Sequence, residues 1–95
     1  MAVNLEQLRR VRPEIERLAH QYGARDLRIF GSVARGEAGP NSDVDVIVRF
    51  EKGRSLLDQA GLQLDLAELL GCNVDVVSEG AVKAGHRILQ DAVAL

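Results

Sequence analysis

GSVARGEAGPNSDVDVIV, residues 31–48, is the stretch on which the reading of this chain turns. Its second half runs from Asp43 to Val48, alternates at the start and is rich in β-branched residues, so it reads as a strand. Alternate strand residues point to one side. Asp43 and Asp45 therefore share a face, with Cα atoms about 6.5 Å apart, while Val44, Val46 and Val48 point into a core. Two like charges on one face, with no lysine or arginine between them, repel. A divalent cation turns that repulsion into binding, and a hard cation such as Mg²⁺ takes oxygen ligands.

The first half of the stretch supplies an anion site. Asp26–Phe30 (DLRIF) reads as a short strand with Leu27 and Ile29 on one face. Gly31 then allows a tight turn that a side chain would obstruct. Ser32 is placed to cap a short helix through Val33, Ala34 and Arg35, whose first amides and hydroxyl could meet an anion. Two strands joined by the loop 36–42 bring this turn beside the carboxylates. Phosphate, metal and carboxylate together are what phosphoryl or nucleotidyl transfer requires.

At these residues the chain resembles the DNA polymerase β-type nucleotidyltransferase superfamily, whose pattern is Gly-Ser, ten residues, then Asp-x-Asp (GSX10DXD). Here ten residues separate Ser32 from Asp43. The short length resembles the minimal, MNT-type branch. The resemblance implies an α/β (α+β) nucleotidyltransferase fold, a small three-stranded mixed sheet packed with about four helices. It also implies that Gly31 and Ser32 bind nucleotide, that Asp43 and Asp45 hold Mg²⁺, and that a third acid comes from a neighbouring strand. Asp75 is the only acid in the run 73–77 (NVDVV) and takes that part by position, as base or metal ligand. Two Mg²⁺ would then relieve the repulsion among the three carboxylates and between them and a triphosphate of roughly −4. The implied reaction is attack on the α-phosphate of ATP with loss of pyrophosphate. MNT-type proteins resemble antitoxins that adenylylate a tyrosine of a HEPN-domain ribonuclease toxin, which makes such a toxin the expected partner. Two other readings stand beside this one: an antitoxin that blocks its partner by contact alone, and nucleotidyl transfer to a small molecule such as an aminoglycoside.

Ninety-five residues suit one domain, 1–95, and a hydrophobic share of 46% with only 3% aromatics makes its core one of Leu, Val, Ile and Ala. A net charge of −2 gives no general drive toward nucleic acid. The single cysteine, Cys72, has no internal partner for a disulfide. No secretory or membrane-spanning run is visible, so a cytoplasmic protein is expected. Homodimerisation is left open.

Along the chain, Leu5, Leu8, Val11, Ile15, Leu18 and Tyr22 form one helical stripe that Asn4 can cap, with Gln7 at the capping-box position. Pro13 predicts a kink or two abutting helices, and Gly23 a stop. The strand over 43–50 should run antiparallel to the first. Ser55–Leu70 reads as a second long helix, capped by Ser55 and ended by Gly71, with leucines on more than one face. An ordinary core helix is the expected reading, and a partner-facing one the alternative. Residues 73–77 form the third strand, parallel to the second because a helix intervenes. Residues 84–93 read as a closing helix with Ile88, Leu89 and Ala92 inward.

Among the remaining candidates, Arg35 has two readings of equal standing, a phosphate contact or an ion pair that ties the loop. Ser42 is expected to bond within its loop. Lys83, His86 and Arg87 form a basic cluster, read as a solvated face with a phosphate contact as the alternative. Cys72 reads as a small packing residue, and His20 and His86 are too isolated for a zinc site.

Overall fold

The computed structural model describes residues 3–82 and 87–95, with the backbone alone at 87 and 88. The chain starts with two short helices, α1 (Leu5–Arg10) and α2 (Arg12–Gln21). The Asn4 side chain accepts from the Gln7 amide at 2.9 Å, and the Gln7 side chain accepts from the Asn4 amide at 3.2 Å, closing the capping box. The break at Val11 falls where Pro13, which has no amide to donate, fits the first turn of α2. Leu8 and Ile15 reach the core, and Leu5, Val11, Leu18 and Tyr22 pack against it, so the stripe faces inward as its spacing directs.

The elements that follow are β1 (Ala24–Phe30), α3 (Gly31–Ala34), β2 (Val44–Phe50), α4 (Leu56–Leu70), β3 (Val74–Ser78), a 3-10 turn (Glu79–Ala81), α5 (Arg87–Asp91) and β4 (Val93–Ala94). The sheet order is β3-β2-β1-β4. β1 and β2 are antiparallel and β2 and β3 parallel, as the short loop and the helical crossover require. β1 begins two residues earlier than expected and contains an irregularity between Arg25 and Arg28, where Asp26 adopts φ +54°.

Two further expectations are corrected. The sheet has four strands, because Val93 pairs with Ile29 and Ala94 with Arg28 along the free edge of β1. The closing helix therefore ends at Asp91, and β-branched Val93 joins the ladder; residues 83–86, including Lys83 and His86, lie outside the described residues. Against the about four helices expected, five α-helices and one 3-10 turn are seen among the described residues, because the first helical run takes the two-helix form that Pro13 allows.

One face of the sheet carries the core. Val44, Val46, Val48, Val74 and Val76 meet Leu8, Ile15, Ala19, Leu62 and Leu66 from α1, α2 and α4. Tyr22 Oη donates to Asp65 Oδ2 at 2.5 Å and ties the end of α2 to α4. Gly61 makes room there, since a Cβ at that position would run into the Tyr22 ring. Gly71, at φ +70°, ends α4 in the left-handed region that glycine occupies without strain. Ser55 caps the start of α4 in a box with Asp58.

The leucines of α4 depart from the core-helix reading. Leu62 and Leu66 are buried, but Leu56 is 81% exposed, Leu57 83% and Leu64 70%. The sheet covers only one side of a helix, and nothing in the described chain covers the other. Among the described residues, no helix is long and apolar enough to cross a membrane.

Candidate active site

The second face of the sheet holds the chemistry. Parallel pairing puts Asp45 directly opposite Asp75, and Val44 opposite Val74. Paired residues of neighbouring strands point to the same side, so Asp45 and Asp75 stand together on the face away from the core. Asp43, two residues before Asp45 and just ahead of β2, joins them at the sheet's end. Asp43 and Asp75 are exposed, and Asp45 is half-buried. The apolar character of this face returns one pair along the strand, where Ile47 is fully buried outside the main core cluster.

The crowding of charge shows in Asp45. Burial pushes its carboxyl above the usual aspartate range, and the charges of Asp75 and Asp43 push it further, with Arg35 acting in the opposite sense. Gly31 makes the approach possible. Its φ is +73°, and a Cβ there would overlap the Asp45 carboxylate oxygen. The bend thus needs glycine twice, for its backbone and for the space that Asp45 occupies.

Ser32 corrects one local expectation. Gly31, at φ +73°, itself opens the helical turn, so Ser32 lies inside it. The cap position is Phe30, which makes no side-chain capping bond. Ser32 is half-exposed, one residue along the chain from the glycine that touches Asp45.

Arg35 is engaged with acids. It pairs with Glu37 at 3.1 Å and approaches Asp91 of α5 at 3.9 Å. The loop-tying reading of Arg35 is thus what the described contacts display, while its charge still reaches Asp45. Ser42 Oγ accepts from the Gly39 amide at 2.8 Å, the loop-internal bond expected of it.

Two neighbours of the carboxylates lay outside the sequence reading. Cys72 packs against the core as expected, and it also sits close enough to Asp43 for that charge to add to burial in pushing its thiol up. Its position just before a strand parallel to β2 was the available signal. The second is a groove of about 310 Å³ in which Asp43 and Asp75 share the wall with Gln63, Leu64 and Ala67 of α4. Gln63 and Gln59 are held in place because they bond the outward amide and carbonyl of Val76 at 3.0 and 2.7 Å. A larger depression of about 440 Å³ lies elsewhere, lined by Arg12, Arg25 and Arg49. Those arginines are paired with Glu16, Glu51 and Asp26, so it is a hollow between surface ion pairs.

The Nucleotidyltransferase domain family matches residues 8–92. The chain belongs to this family. Among its nucleotidyltransferase relatives, the protein adenylyltransferase MntA of Thermococcus cleftensis is 44% identical over 68 residues, which is 72% of this chain and 69% of MntA. A Methanocaldococcus jannaschii protein assigned as a protein adenylyltransferase is 40% identical over 73 residues, 77% of this chain and 75% of that one. A solved structure assigned as a minimal nucleotidyltransferase superposes with a TM-score of 0.86 at 46% identity, covering 98% of this chain and 97% of its own. A crystal structure of a toxin–antitoxin with AMP-PNP matches with a TM-score of 0.65 at 25% identity, over 75% of this chain and 59% of that one. The nucleotidyltransferase fold expected from the resemblance is the fold observed.

The residues of this nucleotidyltransferase fit a hard divalent cation. Every donor is a carboxylate oxygen, the like charges crowd one another, and Gly31 leaves room for Asp45 to reach the bend. Among the described residues no three His, Cys, Asp or Glu side chains form a ready-made cage. Mg²⁺ does not need one, since it keeps several waters and commonly takes one or two carboxylates together with substrate phosphates.

Proposed function

We propose that this nucleotidyltransferase transfers AMP from ATP to a tyrosine hydroxyl of a partner protein, a HEPN-type ribonuclease toxin, and so serves as its antitoxin. The observation that carries this reading is the in-register pairing of Asp45 with Asp75 beside the Gly31 bend. The reading is supported by the adenylyltransferase names of its relatives and by the toxin–antitoxin structure with AMP-PNP.

In this reading Gly31 and Ser32 receive the triphosphate, because the glycine lets phosphate approach the backbone and the serine hydroxyl can donate to it. Arg35 stands one turn further on and can exchange Glu37 for a phosphate oxygen. Asp43 and Asp45, with Asp75, would hold Mg²⁺, two ions in the full complement. When bound, the metal stabilises the negative charge that develops on the phosphate oxygens. Asp75, exposed on the edge strand, accepts the proton of the acceptor hydroxyl. The acceptor oxygen forms its bond to the α-phosphorus, the bond from that phosphorus to the α–β bridging oxygen breaks, and pyrophosphate departs with the electron pair.

The test combines the protein, ATP and Mg²⁺ with the product of the adjacent reading frame, followed by intact-mass spectrometry. The neighbour should gain one or more AMP masses on a tyrosine, and its ribonuclease activity should fall in step. Silencing of the neighbour without ATP, and without any need for Asp43, would replace this reading with inhibition by contact. Modification of an aminoglycoside by the isolated protein would replace it with small-molecule transfer.

A further inference from the structure

The exposed leucines of α4 are not scattered. Leu56, Ala60 and Leu64 follow at intervals of four, and Leu57 lies on the same side, so they form one stripe along the helix. All of these residues are exposed. The stripe ends at the groove along the β3 edge, whose wall Leu64 shares with Asp43 and Asp75. Leu56 lies about 12 Å further along the helix axis. An apolar strip of this kind is unfavourable in water unless something covers it.

We infer that this stripe is the docking surface for the protein acceptor of the transfer reaction, and that the acceptor covers it with an apolar helical face rimmed by Lys or Arg. The inference rests on the adenylyl-transfer reading and deepens it. Two observations select this occupant. The first is continuity: at the edge strand β3 Leu64 lines the same groove as Asp43 and Asp75, and the apolar strip runs from there along α4 to Leu56. The second is charge: α4 contains Asp58, Asp65 and Glu68 and no lysine or arginine, and of these acids Arg54 pairs with Asp58, while Asp65 meets only the neutral Tyr22 hydroxyl, so the helix stays net acidic. A second copy of this chain would set one acidic helix against another, whereas a partner with a basic rim gains from the same charges. The anchoring glutamines add to the picture. Gln59 and Gln63 are spent on the Val76 backbone, so α4 is held to β3 and presents its outer side as a fixed platform.

The experiment uses Leu56→Glu/Leu57→Glu and the milder Leu56→Ser/Leu57→Ser. Both positions lie at the exposed start of α4, away from the carboxylates, where glutamate also suits the helix dipole. Circular dichroism and the thermal shift produced by Mg²⁺–ATP should match the unaltered protein in both variants. The probe is the adjacent-frame protein. Both variants should raise its KM at least tenfold with kcat nearly kept, and should weaken the nucleotide-free complex in calorimetry by a similar factor. Unchanged KM and unchanged complex formation would overturn the inference. If the unaltered protein transfers no AMP, the functional reading fails separately. The calorimetry then decides the docking surface alone, supporting it if the variants lose the complex and overturning it if no complex forms or the variants keep it. A homodimer of the unaltered protein that both variants dissociate would also overturn it, in favour of a second copy.

Discussion

The two faces of β2 carry opposite chemistry on one strand. Val44, Val46 and Val48 are buried against three helices, and each contributes by leaving water. Asp43 and Asp45 alternate with them on the other side and oppose each other, with Asp75 brought across from β3 to make the opposition worse. The valine face explains why the strand is where it is. The aspartate face is tolerated because that position is secured from behind, and the unfavourable charge is available for a ligand. The same backbone that makes the core also fixes the carboxylates, so a change on either face reads out differently.

The largest effect should come from the acidic face. Replacing both Asp43 and Asp45 by alanine should lower AMP transfer by more than about 10³-fold, measured with labelled ATP, while urea unfolding shows no loss of stability. Retention of transfer in that variant would remove the carboxylates from the mechanism. Cutting into the valine face should do the reverse. Val48→Ala should cost roughly 2 kcal/mol of unfolding free energy through lost burial and a cavity, with transfer by the folded fraction preserved; a cost near zero would mean the core face is less tightly packed than described.

Gly31 touches both properties. Gly31→Ala should destabilise by about 1–2 kcal/mol for its left-handed backbone, and should also weaken the Mg²⁺–ATP thermal shift, since the new methyl displaces the Asp45 carboxylate. Loss of stability with undiminished nucleotide binding would separate the bend from the site. The smallest effect concerns the conflict itself. The Asp45 carboxyl titrates higher in the folded protein than in the unfolded chain, because burial and then Asp75 and Asp43 disfavour its charge. The native state therefore binds the proton more readily, and stability falls as pH rises from the unfolded value through the folded one. In metal-free buffer, Asp45→Asn should remove that slope and raise stability at neutral pH, by an amount that solvent screening of this half-exposed group keeps small. An unaltered pH profile would place Asp45 outside the charge conflict.

Much of this was legible in the chain because it is written in short-range pattern. Period-two valines gave β2, the spacing of Leu8, Ile15 and their neighbours gave the inward stripe, and Asn4, Ser55 and Gly71 marked helix ends through local hydrogen bonds and backbone preference. The sharing of one face by Asp43 and Asp45 follows from strand geometry alone. The errors lie where long-range pairing competes with local preference. Val93, at the end of the expected closing helix, instead completes the edge of β1. Ser32 suits a cap by residue type, but the helical turn starts at Gly31 with its positive φ, and the cap position falls to Phe30. The leucines of α4 gave no sign of which would be covered, because periodicity tells which residues share a side and not what stands opposite.

Sequence by itself determined β2 and β3, the limits of α4, the hairpin sense and the identity of the acids, since each depends on neighbours a few residues away. Tertiary structure alone decided that Asp75 stands opposite Asp45, that Gly31 yields the space Asp45 fills, that Arg35 turns to Glu37 and Asp91, and that Leu56, Leu57 and Leu64 remain in water. Register between distant strands and the coverage of a helix are set by the summed packing of the whole chain, and no local stretch contains that sum.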